Sequence, residues 1–221
     1  MAKSKMLKEF AQNKIELESL LKQLKLLLVD LGKEELVDWV NYEIEGYPAN
    51  ANLPEYREYP GILKGTFLNY HTQCSNVPIP LKPDSPEVVK ECTSKVSFRE
   101  GVTALKKLQT SNGKISASIP GDLLFSIQKY SAVSMTYLMS ADIVVSDTIP
   151  NSILSTIENK AMDILILLEK EFGCLDDLSI DISERDEKEI EQIANNITII
   201  INDNHIEMGN DNTIKNSTIN G

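Results

Sequence analysis

Six of the chain's nine prolines fall between residues 54 and 86. They sit in NLPEYREYPG, in NVPIPLKP and in the DSP that follows. Proline has no backbone N–H to donate and clashes with the preceding helical turn. A long helix or a central strand is therefore excluded there, and edge strands and extended loops are expected. Short apolar runs such as GILKGTFLNY supply the strands. On both sides of this block the apolar spacing is helical. The fold expected is α+β: an N-terminal helical hairpin and a C-terminal helix packed with a small antiparallel β region, followed by an Asn-rich β tail.

The leading helix is expected from Leu7, Phe10, Leu17, Leu20, Leu21, Leu24, Leu27, Leu28 and Leu31. They step by threes and fours apart from one gap of seven, and Gly32 closes the run. A second helix is expected in KEELVDWVNYEIEG, with Leu36, Trp39, Val40, Ile44 and Tyr47 on one side, stopped by Gly46 and Pro48. The short link between them favours an antiparallel pair. Val102, Leu105 and Leu108 mark a third helix, Ser111-Asn112-Gly113 a turn and KISASIP a short strand. Period-two alternation of Val133, Met135, Tyr137, Met139, Ala141, Ile143 and Val145 predicts a long half-buried strand or a bent pair. NSILSTIENKAMDILILLEKEFG then predicts a strong helix, with Pro150 in its first turn.

Charge divides the chain. Residues 1–110 are neutral, and residues 111–221 carry the whole net −11. Asp176 to Gln192 is the densest acidic stretch, so the expected division is a domain over 1–175, an acidic linker over 176–193 and a β tail over 194–221. The acidic balance argues against broad binding to nucleic acid or anionic membrane. Without a signal-like or spanning apolar run, and with three scattered cysteines, the expected setting is the cytoplasm with reduced thiols.

Groups with catalytic chemistry are sparse. His71 and Cys74 have the spacing of half a zinc site, but a structural zinc takes four ligands and the other histidine, His205, lies in the tail. No metal and no cofactor is therefore expected. Glu158-Asn-Lys160, downstream of Asp142, has a nuclease-like spacing. That chemistry needs the groups at a strand end, whereas here they fall on an amphipathic helix, where a solvated face is expected. Glu34, Glu35 and Asp38 suit a helix N-terminus. Lys3, Lys5, Lys8 and Lys14 read as a solvated helix face, and Trp39, Tyr42 and Tyr47 as packing.

Several blocks together resemble the AbiTii domain family of bacterial abortive-infection and phage-defence proteins. They are Glu43-Ile-Glu-Gly46-Tyr47-Pro48, Leu53-Pro54-Glu55-Tyr56-Arg57 and Gly65-Thr-Phe67, followed by NVPIPL, FREGVTALKKL and SADIVVSDTIPNSILSTIENKAMDILILLEKEF. The likeness spans roughly residues 5–173. One departure is Asp142 after Ser140-Ala141, where the family pattern often carries an aromatic. The resemblance implies a phage-defence setting and an Asn/Gly/Ile/Val-rich tail, but no catalytic residues. It makes Gly46, Tyr47, Pro48, Pro54, Tyr56 and Arg57 a motif surface or packing set.

The tail, NNITIIINDNHIEMGNDNTIKNSTING, holds eight asparagines in 27 residues. Ile197, Ile199 and Ile201 alternate, Ile206 and Met208 alternate again, and Ile214 and Ile219 extend the pattern between Asn-rich corners. One such strand set buries too little to stand alone. Several copies wrapped on an isoleucine axis would suffice, so these seven residues are the expected interface of a homo-oligomer, a trimer favoured over a dimer. A disordered tail and a strand pair folded back on its own domain stay open. The function expected is a non-enzymatic assembly or regulatory module with itself as partner, and a defence-system effector or phage protein as a second. A toxic effector such as a nuclease, and a ligand or peptide sensor near Tyr47, Tyr56 and Tyr59, are the alternatives.

Overall fold

The structure is a computed structural model, and it describes residues 3–110 and 114–202. In chain order it runs α1 (Lys5–Ala11), α2 (Leu17–Asp30), α3 (Glu34–Glu45), a 3-10 turn (Glu55–Arg57), β1 (Glu58–Pro60), β2 (Ile62–Asn69) and β3 (Thr72–Pro78). Then come α4 (Glu87–Ser94), β4 (Lys95–Ser97), α5 (Val102–Thr110), β5 (Ile115–Ser118), α6 (Gly121–Tyr130), β6 (Tyr137–Val145), α7 (Ile149–Phe172) and α8 (Glu187–Ile201). The class is α+β, as the proline block and the flanking periodicity require.

α7 is the spine. Ile153, Leu154, Ile157, Ala161, Ile164, Leu165 and Leu168 are all buried along it, each leucine or isoleucine removed from water stabilising by roughly 1.5–3 kcal/mol. It touches α1, α2, α5, the 3-10 turn and α8, while α2 and α3 pair with each other. The leucine run expected as one helix is two. It breaks at the gap of seven, where Asn13 takes a left-handed φ of 56° and donates its N–H to the Phe10 carbonyl. Between Ala11 and Ile15 the residues are Gln12, Asn13 and Lys14, all exposed, so no buried face runs through the break. Gly32, with a φ of 67°, ends α2 in the conformation expected of it.

The prolines bound short strands. One antiparallel sheet has the order β3-β2-β6-β5, and β1 pairs with β4 in a separate ribbon. Leu63 and Phe67 of β2 and Leu138, Ala141, Ile143 and Val145 of β6 line its buried face, with α4 and α6 packed beside these strands. β6 is shorter than the expected strand, since it begins at Tyr137, and within it the register shifts between Thr66 and Phe67, opposite Leu138 and Ser140. The bulge turns Tyr137 and Met139 outward and Leu138 inward, which undoes the uniform alternation read across 133–145. α6 has no counterpart among the sequence expectations.

The largest correction is at the end of the chain. Residues 194–201, expected as the start of a β tail, are helical, and α8 begins inside the stretch expected to be a linker. Asp186 caps it by accepting from the Glu189 N–H at 2.8 Å. Ile193, Ala194, Ile197 and Ile201 recur at helical spacing and pack into the same core as α7. The β-branched residues fit a strand by propensity, but burial of one helical row overrides that preference. Ile206, Met208, Ile214 and Ile219 lie outside the described residues.

Candidate functional site

The blocks that carry the family likeness converge inside the molecule. Glu43 comes from the last turn of α3 and Tyr47 from just beyond it, Tyr56 and Arg57 from the 3-10 turn, the Phe98 and Glu100 carbonyls from the segment between β4 and α5, and Lys160 from the middle of α7. Glu43 and Arg57 are completely buried. Arg57 Nη2 donates to Glu43 Oε2 at 2.5 Å, and the hydroxyls of Tyr47 and Tyr56 each donate to Glu43 Oε1 at 2.6 Å. Arg57 Nη1 donates to the carbonyls of Phe98 at 2.9 Å and Glu100 at 2.7 Å. Trp39 Nε1 donates to the Tyr56 oxygen at 3.0 Å. The guanidinium carbon of Arg57 lies 4.8 Å from the Tyr47 ring centre.

Local sequence explains why these groups meet. Glu43 lies in the last turn of α3, and Tyr47 follows just beyond the helix end. Gly46 then turns the chain with a φ of 108°, and a Cβ there would lie 2.8 Å from the Arg99 carbonyl. Tyr47 N–H donates to that same carbonyl at 2.7 Å. On the other side of the crossing a Cβ on Gly101 would lie 2.1 Å from the Ile44 carbonyl. Two glycines thus let two backbones touch, and this closeness brings the Phe98 and Glu100 carbonyls to Arg57. Pro54 starts the 3-10 turn, and its carbonyl accepts the Arg57 N–H at 3.0 Å. Pro48 is exposed, and its carbonyl accepts from Arg99 Nη1 at 2.6 Å.

The electrostatics describe a closed charge pair. Burial pushes the Tyr47 and Tyr56 hydroxyls well above the usual phenol range, and the Glu43 charge pushes them further. Burial alone would lower the Arg57 pKa, but the neighbouring Glu43 charge outweighs it and the net shift is upward. The carboxylate therefore meets three donors with all partners sealed from solvent. Such a cluster holds chain segments together, and it offers no face to a substrate.

Lys160 was expected on a solvated helix face with Glu158. It is instead buried, at 4% exposure. Its Nζ lies 5.1 Å from the Tyr56 ring centre and donates to the Ile200 carbonyl at 2.8 Å. Its stem is apolar enough to be packed while its ammonium sits at the C-terminal end of α8, where helix carbonyls favour a cation. Glu158 is half-exposed, and Asp142 lies on the sheet, where it accepts from Ser118 Oγ at 2.6 Å. The nuclease-like trio is thus distributed over three different surroundings. His71 is exposed in the β2–β3 turn and Cys74 half-buried in β3, and among the described residues no cluster of His, Cys, Asp and Glu could hold a metal.

Of the expected interface residues, Ile197 and Ile201 face their own domain, and Ile199 lies half-exposed on α8. A shallow surface groove of about 460 Å³ runs between β2 and α4, walled by Ile62, Leu63, Pro78, Pro80, Leu81 and Lys90. None of the expected site residues lines it. Among the described residues no helix is long and apolar enough to cross a membrane.

The AbiTii family model matches residues 4–196, which takes in every member of the buried cluster. The chain belongs to the AbiTii family, an abortive-infection and phage-defence family. No curated protein and no solved structure matches it.

Proposed function

We propose that this chain is a non-enzymatic assembly or regulatory module of bacterial abortive infection, working in the cytoplasm and joining copies of itself through the segment after α8. A trimer is the favoured stoichiometry. The observation that carries this reading is where the tail begins. α8 uses Ile193, Ala194, Ile197 and Ile201 on its own domain and ends at Asn202. The strand-like pattern of Ile206, Met208, Ile214 and Ile219 follows directly, with too little apolar surface for one copy to bury. The sealed state of the Glu43–Arg57 cluster supports the same reading, since the most conspicuous charged group of the domain serves its architecture. A defence-system effector or a phage protein is the second partner in this scheme.

Multi-angle light scattering of the intact chain beside one ending at Asn202 tests it. The cut leaves α8 whole, whereas a cut near Glu191 would remove core residues. The intact chain should run as a trimer and the shortened one as a folded monomer. A monomeric intact chain sinks the proposal. Ile201→Asp is the wrong probe because Ile201 is a core residue; Ile206→Asp with Ile214→Asp addresses the tail alone.

A further inference from the structure

We infer that α8 is a releasable strap, hinged at its N-terminus and latched at its C-terminus by Lys160. Three features set it apart from the other long helices. Its attachment ends early: Leu175 and Ile180 are buried, the Ile180 N–H donates to Asp30 Oδ2 at 3.0 Å, and Arg185 bonds the Glu171 carbonyl. Beyond Arg185 the start of the helix is largely solvated: Glu187, Lys188, Glu189, Glu191 and Gln192 are exposed, and Ile190 is half-buried. Its fully buried grip is one narrow row, Ile193, Ala194, Ile197 and Ile201, with Ile190 and Ile200 partly buried against the core, where α7 buries a broad double row over six turns.

The third feature is polar. The last carbonyls of a helix lack partners within the helix. Lys160 takes that of Ile200, and it does so from the face of Tyr56, which itself bonds Glu43. The strap therefore ends on the charged cluster that joins α3, the 3-10 turn and the segment between β4 and α5. Release uncovers Lys160 and the Tyr56 ring together with the apolar row of α7 beneath. The next residues along the chain are the tail, so an assembled tail holds the latch closed and a free one lets it open. That trigger rests on the assembly reading above, and the strap itself does not.

Hydrogen–deuterium exchange followed by mass spectrometry decides it, on the full chain and on the full chain carrying Ile206→Asp and Ile214→Asp. In the tail variant, amides of residues 193–202 should exchange at least about 10-fold faster than those of 153–168, an opening short of global unfolding. Lys160→Met should speed the α8 amides about 10-fold more and leave α7 unchanged. Equal exchange of α8 and α7 in the tail variant overturns the strap. So does Lys160→Met accelerating both helices alike. If Lys160→Met fails to fold, Lys160→Arg reads the latch: change confined to α8 supports it, and uniform change overturns it. In the intact chain α8 should be slower than in the tail variant, and equality there removes the trigger. A monomer by light scattering with fast α8 exchange sinks the assembly reading and leaves the strap standing.

Discussion

Glu43 and Glu169 are both buried carboxylates on helices, yet the fold stabilises them by different means. Glu43 is met by a guanidinium and two phenols, every one of them inside. Glu169 accepts the Ser4 backbone N–H at 2.5 Å and faces Lys3 Nζ at 2.9 Å, and Lys3 is largely in water. With Asp176, which takes the Lys5 N–H at 2.6 Å, it satisfies the opening N–H groups of α1. The first arrangement is an ion pair that would be ruinous to break. The second is a helix cap with a solvated counter-charge. Burial of the acid alone does not say which is present; the burial of its partner does.

The sharpest way to break this contrast is Arg57→Ala. It strands the Glu43 charge in the interior and should cost about 3–5 kcal/mol in urea unfolding. Tyr56→Phe comes next, at about 1.5–3 kcal/mol, because a bond to a charged acceptor is lost and Trp39 Nε1 loses its acceptor. Glu169→Gln should cost about 1 kcal/mol, since an amide oxygen can still take the Ser4 N–H. If Glu169→Gln matches Arg57→Ala, the two sites are alike and the contrast fails.

The pH dependence separates them by sign. Burial raises the Glu169 pKa and the Ser4 and Lys3 contacts lower it, with a net shift downward. Its contribution is therefore present above the unfolded carboxylate value of about 4.3 and lost as pH falls through the lower folded value. Tyr47 and Tyr56 are shifted upward, so their contribution is whole below about pH 10 and declines as pH rises above it. Stability curves should show Glu169→Gln flattening only the acid limb and Tyr47→Phe only the alkaline one.

Much of this was legible from residue order. The 3.6 spacing located α3, α5 and α7, and the prolines located the strands between them. Trp39 read as packing and is packing. What spacing could not show was contact between distant blocks. Glu43 and Arg57 are 14 residues apart with a turn between them, and nothing in either neighbourhood names the other. Lys160 misled for a related reason: beside Glu158 and Asp163 it looks solvated, and the groups that enclose it, Tyr56 and α8, lie far away in the sequence. The isoleucines at 197, 199 and 201 fit both periods over so short a run, and Ile193 and Ala194 upstream break the tie toward helix.

The latch on α8 has one more consequence. Lys160 reads a main-chain oxygen, so the position it grips carries no chemical signature of its own. Ile200→Val or Ile200→Leu should leave melting within about 0.5 kcal/mol of the parent. A co-variation search at position 200 would therefore miss this contact with Lys160, although the lysine rests on both the Ile200 carbonyl and the Tyr56 ring. Contacts of this kind are written in shape alone, and a reader restricted to letters meets only half of the sentence.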